Sequence, residues 1–207
     1  MVDRKKYDGA SLEVLEGLEP IRIRPAMYVG PLDAPDLPVR LLRQALCHAV
    51  DCALDGACTH LRISASGRTA QVSYDAGIPL ELHPRHGHPV ALLFLTLHAG
   101  CRNLKKHIEV GDELCDLGLA VLTALSADLR VRTVHSGKTA TYHFSRGKEV
   151  AEAKITACDE ADSTAMSIAL DPDILGDNVV FEPGLVRAAA ELVQARLPAL
   201  AVQVECA

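Results

Sequence analysis

His48 and Cys52 are the first pair of residues whose types and spacing could support chemistry. They lie four positions apart in the segment His48-Ala49-Val50-Asp51-Cys52, so a helix would place both on one face. An imidazole titrates near neutral pH and could accept a proton, and a thiolate beside it could act as a nucleophile. The plainer interpretation is that His48 is an ordinary half-buried polar residue on a helix.

A second cluster combines histidines with cysteines that lie slightly earlier in the chain. Its members are Cys47, Cys58, His60, His83, His86 and His88. Their spacing is neither a CxxC pair nor an HExxH helix, the patterns by which zinc sites are usually recognised. The sequence therefore predicts no metal site, and no order of Ser, His, Asp or Cys indicates a nucleophilic triad.

Two further segments place carboxylates beside glycines. Tyr74-Asp75-Ala76-Gly77-Ile78-Pro79 follows a short strand, and Asp75 there either faces a pocket or is a turn residue at the strand end. Asp112-Glu113-Leu114-Cys115-Asp116-Leu117-Gly118 precedes an apolar run. Acidic residues at the start of a helix stabilise it through its dipole and cap its free N–H groups.

The elements that must position these residues come in the order helices, then strands. The predicted helices are a short one capped by Ser11 and ended by Pro20 and Pro25, then Val39–Asp55, Pro89–His98, Glu113–Leu125 and Pro183–Leu197. The predicted strands are Leu61–Ala65, Thr69–Tyr74, Leu129–His135, Thr139–Ser145, Val150–Ala157, Ala165–Ala169 and Leu200–Glu205. This order is typical of an α+β fold with helices packed on one face of a mixed sheet.

Composition narrows the class of protein further. The 207 residues suit one domain, and 49% hydrophobic residues support a buried core. A net charge of −6 argues against a broad nucleic-acid surface. The seven cysteines are interpreted as reduced thiols, and with no signal peptide or membrane span expected, the sequence predicts a cytoplasmic protein.

The stretch Tyr7–Gly30, YDGASLEVLEGLEPIRIRPAMYVG, resembles the opening of the ATPase domains of gyrase B and topoisomerase IV B, members of the GHKL superfamily. A second match is the ordered series Gly77-Ile78-Pro79, His83-Pro84, Gly87, Pro89 and Leu97-His98-Ala99-Gly100. The resemblance covers nearly the whole chain. It implies a two-layer GHKL (Bergerat) sandwich, with helices on one face of a mixed, mostly antiparallel sheet.

The same resemblance implies how the chain is organised. Residues 1–207 are expected to form a single GHKL ATPase-like domain, with an N-terminal arm at 1–30 and a degenerate ATP lid at 101–118. The transducer, TOPRIM and DNA-cleavage domains of the family are expected to be absent.

The family's catalytic helix carries Glu-x-x-Asp-Asn, whose Glu activates water and whose Asn binds Mg²⁺. The resemblance places His48 at the Glu position and Cys52 at the Asn position. A thiol is a soft ligand and a poor choice for Mg²⁺. No intact catalytic residue and no metal ligand are therefore expected.

The resemblance also implies that some residues of the family's nucleotide site are kept as vestiges. They are Tyr7, Asp75, Gly77, Arg102, Gly118 and Thr164. The glycine-rich phosphate cradle is replaced by Asp112–Gly118, and one carboxylate about 4 Å from one phosphate charge costs about 4 kcal/mol at an effective dielectric of 20. Our hypothesis is that the chain fills its own former anion site with Asp112, Glu113 or Asp116.

These features predict a catalytically inactive domain that acts as a protein-interaction or regulatory module, without a cofactor. In the family the arm crosses to the neighbouring protomer, so a homodimer through the arm, or a component of a type II topoisomerase as partner, is the expected assembly. No direct nucleic-acid or membrane contact is expected.

Three alternatives stay open. One is a switch that binds ATP without hydrolysis through Asp75, Gly77 and Thr164. Another is a weak Mg²⁺-dependent ATPase, related to the ATP-hydrolysing component of DNA topoisomerase, with His48 as base. The last is a small-ligand binder that uses the emptied pocket.

Overall fold

The computed structural model describes residues 14–98, 114 and 116–207. One mixed sheet of eight strands forms a layer of the molecule. The strands are β1 His60–Ser66, β2 Thr69–Tyr74, β3 Ser126–His135, β4 Lys138–Ser145, β5 Lys148–Glu149, β6 Thr156–Ala157, β7 Ser163–Leu170 and β8 Ala201–Cys206. Their order across the sheet is β5-β4-β3-β7-β2-β1-β8, and β6 pairs separately with β4.

Helices form the second layer. In the described residues they are α1 Glu19–Ile23, α2 Ala26–Val29, α3 Leu37–Leu54, α4 Val90–Thr96, α5 Leu119–Ala124, α6 Pro172–Leu175 and α7 Pro183–Arg196. The pairing of β1 with β8 is parallel, and every other strand pairing among the described residues is antiparallel. The α+β class and the mixed, mostly antiparallel sheet are therefore confirmed.

Alternation along the strands decides which side of the sheet is covered. In β1, Leu61 and Ile63 are buried whereas His60 and Arg62 are exposed, because successive side chains point to opposite faces. The buried set packs with α3, whose residues are buried almost continuously from Leu37 to Asp51. The functional residues of α3 thus lie between the sheet and the remaining helices.

The β1–β2 hairpin and the helices α3, α4 and α7 match the sequence predictions closely. Three predictions were wrong in detail. Pro20 lies in the first turn of α1 and Pro25 precedes α2, because proline fits the first turn of a helix as readily as it ends one. The predicted helix Glu113–Leu125 is an α-helix over Leu119–Ala124. The predicted strand Val150–Ala157 is a strand only at Thr156–Ala157, although the backbone N–H of Val150 also donates to His143 of β4.

A partly buried ion pair anchors the arm to the rest of the domain. Arg22 of α1 donates to Asp171 Oδ2 at 2.7 Å and to the backbone oxygen of Ala124 at 2.6 Å. The Asp171 side chain is fully buried and also accepts from the backbone N–H of Asp173, which caps α6. Residues 18–24 therefore hold a fixed position on the ends of α5 and β7.

The cysteines correct one sequence prediction. Cys52, Cys58, Cys158 and Cys206 are free thiols, whereas Cys47 is disulfide-bonded. An odd number of cysteines along the chain does not reveal which of them meet in space. Within the described ranges, no helix is both long and apolar enough to cross a lipid bilayer.

Candidate functional site

Gln44 lies at the centre of the candidate site and is completely buried. Its Nε2 donates to the backbone oxygen of Arg40 and to Oδ1 of Asp116, both at 2.9 Å. Its Oε1 accepts from the backbone N–H groups of Leu117, at 3.1 Å, and Gly118, at 2.8 Å. We call these five residues the Gln44 network. It joins α3 to the segment that leads into α5.

Arg40 extends the Gln44 network to the arm. Its guanidinium donates to Oδ2 of Asp116 at 3.0 Å and to the backbone oxygen of Val29 at 3.1 Å. Asp116 is therefore turned towards Arg40 and Gln44. Of the three acids expected to fill the anion site, Asp112 and Glu113 lie outside the described residues. The N–H groups of Leu117 and Gly118 are bound by the Gln44 amide instead of by an acid.

His48 lies one turn further along α3, in an apolar environment. Only 6% of its surface is exposed, and its ring lies 5.7 Å from Tyr74 and 6.3 Å from Phe94, measured between centroids. Its Nε2 is 3.5 Å from the Cys52 sulfur. Burial lowers the pKa of His48 to about 4, with nearby Asp51 opposing this shift. His48 is thus a neutral, weakly basic imidazole at neutral pH.

The carboxylate of Asp75 accepts hydrogen bonds from the residues at the start of β1. It accepts from the backbone N–H groups of Thr59 and His60, each at 2.9 Å, and from the Thr59 hydroxyl at 2.5 Å. Burial raises the pKa of Asp75, but these hydrogen bonds stabilise the charged form and hold the pKa well below its usual range. The carboxylate ties the end of β2 to β1.

Tyr74, which sequence reasoning missed, is the residue at this strand end that points towards α3. It is almost fully buried, lies opposite Thr164 in the β2–β7 pairing and faces the ring of His48. The signal was present in the sequence: Ala70, Val72 and Tyr74 alternate along the covered face of β2. Asp75, one residue later, leaves that face.

Gly77 and Thr164 hold a loop against the sheet. The Thr164 hydroxyl donates to the backbone oxygen of Ala76 at 2.8 Å, and the backbone N–H of Ile78 donates to the Thr133 hydroxyl at 2.8 Å. A Cβ on Gly77 would lie 1.9 Å from the backbone oxygen of Val134. Both residues therefore have a structural task in this chain.

The remaining predicted site residues divide into two groups. Gly118 lies in the Gln44 network, and Cys52 lies beside His48 on α3. Tyr7, Arg102 and the segment 101–111 lie outside the described residues. Among the residues that are described, no three His, Cys, Asp or Glu side chains are grouped closely enough to hold a metal ion.

Known proteins are similar to this chain in both sequence and fold. DNA gyrase B of Thermotoga maritima is 30% identical over 204 residues, which is 97% of this chain and 32% of that protein. DNA gyrase B of Streptococcus pyogenes is 32% identical over 86% of this chain and 28% of that protein. The 43K ATPase domain of Thermus thermophilus gyrase B, solved with an aminocoumarin, superimposes with a TM-score of 0.70 and 27% identity, over 91% of this chain and 48% of that one.

The chain is homologous to DNA gyrase B and has the GHKL-type fold of its ATPase domain. It spans about a third or less of the length of the gyrase B proteins named above. No protein-family profile matches it. The relationship to gyrase B therefore rests on these relatives and on the superimposed ATPase domain.

We predict that Gly77→Ala destabilises this gyrase-type domain severely. The new methyl group collides with the backbone of β3 and forces the loop or the strand to move, at a cost of about 3 kcal/mol. Gly87→Ala is the control: Gly87 has a φ of +67° but open space around it, so only backbone strain of about 1 kcal/mol is expected. Urea unfolding monitored by circular dichroism measures both, and equal losses would contradict the role assigned to Gly77.

We predict that stability falls as the pH is lowered from about 6.5 to about 4. The pKa of His48 is 6.5 in the unfolded chain and about 4 in the folded one, so the unfolded state binds more protons in this window. The stabilisation by the neutral imidazole is fully present above the pKa of the unfolded state. About 3 kcal/mol of the free energy of unfolding is lost when the pH reaches the pKa of the folded state.

Urea unfolding of the wild type and His48→Leu at pH 7 and pH 4.5 measures this contribution. The His48→Leu variant should lose much of the pH dependence, whereas His86→Leu, which removes an exposed imidazole, should keep it. An unchanged pH dependence in His48→Leu would show that other groups are responsible.

Proposed function

We propose that the chain is a catalytically inactive gyrase-B-type domain that acts by binding another protein. The observation that carries this proposal is the Gln44 network. In this network the Gln44 side chain binds the backbone N–H groups at the start of α5. The resemblance places the family's phosphate cradle in this region.

Phosphate binding would require this network to be taken apart. A nucleotide that reached the N–H groups of Leu117 and Gly118 would displace the Gln44 amide, which is buried and makes four hydrogen bonds. Asp116 would then face the incoming phosphate. A carboxylate about 4 Å from a phosphate charge costs about 4 kcal/mol at an effective dielectric of 20.

The contacts of α3 also suggest a different alignment of the family's Glu-x-x-Asp-Asn pattern. One helical turn earlier, the pattern falls on Gln44-Ala45-Leu46-Cys47-His48. Gln44 then takes the position of the general base, close to the start of α5, and an amide does not accept a proton in water. His48 takes the position of the magnesium ligand, where a neutral imidazole is a poor substitute for a hard oxygen.

The arm supports a role in protein binding. Arg40 connects Val29 to Asp116 and Arg22 connects α1 to Asp171, so this part of the arm is held in place by the protein's own side chains. Large apolar side chains are exposed in the same region: Val14 by 71%, Ile23 by 56% and Met27 by 75%. Exposed apolar side chains that form a contiguous patch mark surfaces that bind another protein, and these three lie within one short segment of the chain. We propose DNA gyrase B, or a second copy of this chain, as the partner.

The nucleotide prediction is tested by calorimetric titration of the chain with a non-hydrolysable ATP analogue, with and without Mg²⁺. We expect no binding tighter than about 100 μM and no phosphate release above the blank, because the donors are already occupied. The gyrase B ATPase domain of Thermus thermophilus is the positive control.

Two outcomes of this titration would contradict the proposal. Tighter binding would favour a nucleotide switch that uses Asp75, Gly77 and Thr164. Phosphate release that disappears in His48→Ala would favour a weak ATPase with His48 as base.

The partner prediction is tested on ATP hydrolysis by purified gyrase B. We expect the chain to change the rate of hydrolysis in a dose-dependent and saturable way. Met27→Asp should weaken the effect at least tenfold in apparent affinity, because it places a charge on the exposed arm. Val150→Asp is the matched control, since Val150 is exposed by 55% but lies outside the arm. Equal effects of the two variants would contradict the assignment of the arm as the binding surface.

A further inference from the structure

β8 forms one edge of the sheet and, among the described residues, pairs only with β1. The backbone N–H of Ala201 donates to Thr59 and that of Ala207 donates to Ala65, so the odd-numbered residues of β8 bond towards β1. Backbone groups of alternate residues point in opposite directions. The backbone N–H and C=O groups of Val202, Val204 and Cys206 therefore point away from β1, towards the open edge of the sheet.

This edge lacks most of the features that keep strand edges from pairing. Such features are short length, proline, lysine or a bulge, whereas β8 is six residues long and reads Ala-Val-Gln-Val-Glu-Cys. The opposite edge, β5, has only two residues. One outward N–H is covered, because Val202 donates to Oε1 of Gln194 at 3.0 Å. Val204 and Cys206 form the more open part of the edge.

A groove of about 210 Å³ runs beside this edge, between β8 and α7. Its helical wall is formed by Arg187, Ala190, Glu191 and Gln194, and its floor by Val202 and Val204. The four helical positions follow the spacing i, i+3, i+4, i+7, which is one face of a helix. A basic and an acidic residue, Arg187 and Glu191, thus lie one turn apart along the same wall.

We propose that β8 pairs with β8 of a second copy of this chain, antiparallel about a two-fold axis at Val204, so that one sheet runs through both copies. In this register Val204 lies opposite Val204 of the second copy, and Val202 lies opposite Cys206. These are the residues whose N–H and C=O groups point outward, so each pair forms two hydrogen bonds.

The side chains fit this arrangement. Glu205 lies opposite Gln203 of the second copy, so no like charges face each other and an amide meets a carboxylate. A two-fold axis at Glu205 would oppose two carboxylates and would use groups already bonded to β1. The two-fold axis also reverses the direction of α7, which brings Arg187 of one copy towards Glu191 of the other.

This pairing is independent of the arm and of the proposed function. It requires Gln194 to release the N–H of Val202, and no other hydrogen bond of β8 described above is lost. The interface would be isologous, the usual form of a two-fold dimer.

Light scattering on the eluting peak of a size-exclusion column tests the proposal with the full 207-residue chain. We expect a concentration-dependent dimer at up to about 100 μM. Val204→Pro removes the central N–H and should give a monomer with an unchanged circular dichroism spectrum. A monomer at every concentration would overturn the proposal, and any partner of β8 would then be another protein. A dimer that persists in Val204→Pro would also overturn it, because the copies would then associate through another surface.

Cross-linking tests the register without a disruptive substitution. Paired residues in such a ladder have Cα atoms about 5.5 Å apart, within the range that a disulfide spans. Val202→Cys should form an intermolecular disulfide with the native Cys206, visible on a non-reducing gel and lost in Val202→Cys/Cys206→Ser. Gln203→Cys, opposite Glu205, should not form it. A cross-link that persists without Cys206 would exclude this register.

Discussion

Gln44 is a fully buried amide, and its burial requires that both of its polar atoms find partners inside the protein. They do so with four hydrogen bonds, two from Nε2 and two to Oε1. Loss of any partner would leave a buried polar group unsatisfied, at about 1–3 kcal/mol. Together with the Arg40–Asp116 pair, this side chain therefore helps to fix the position of α3 relative to the start of α5. Through Arg40, the same constraint reaches the arm at Val29.

The other described candidate site residues also make contacts within the fold. Asp75 satisfies the first backbone N–H groups of β1, Thr164 satisfies the oxygen of Ala76, and Gly77 permits the close approach to Val134. In each case a residue type suited to binding a nucleotide is bound within the fold. Replacing an internal partner by a ligand would gain little, because a hydrogen bond exchanged for another contributes only about 1 kcal/mol.

Much of the fold could be predicted from the sequence because the periodic elements are unambiguous. The α3 helix, the β1–β2 hairpin and α7 each show a clear period, and the structure confirms them. The site was harder to predict. Residues 44, 48 and 52 all lie on one face of α3, so a motif shifted by one turn fits the helical pattern equally well. On β2 a shift of one residue changes the face, which is why the sequence leaves Asp75 as a candidate for the pocket although Tyr74 is the residue that faces α3.

The energetics of the two kinds of ligand differ in what each must displace. A phosphate group at the start of α5 has to break four hydrogen bonds of a buried amide and approach the carboxylate of Asp116, and a micromolar site has only about 8 kcal/mol to cover such costs. A protein that binds the exposed apolar side chains of the arm, or the open edge of β8, displaces mainly water. The buried polar groups then stay satisfied. The internal hydrogen bonds thus oppose phosphate binding at the start of α5 more than they oppose the binding of a protein at the surface.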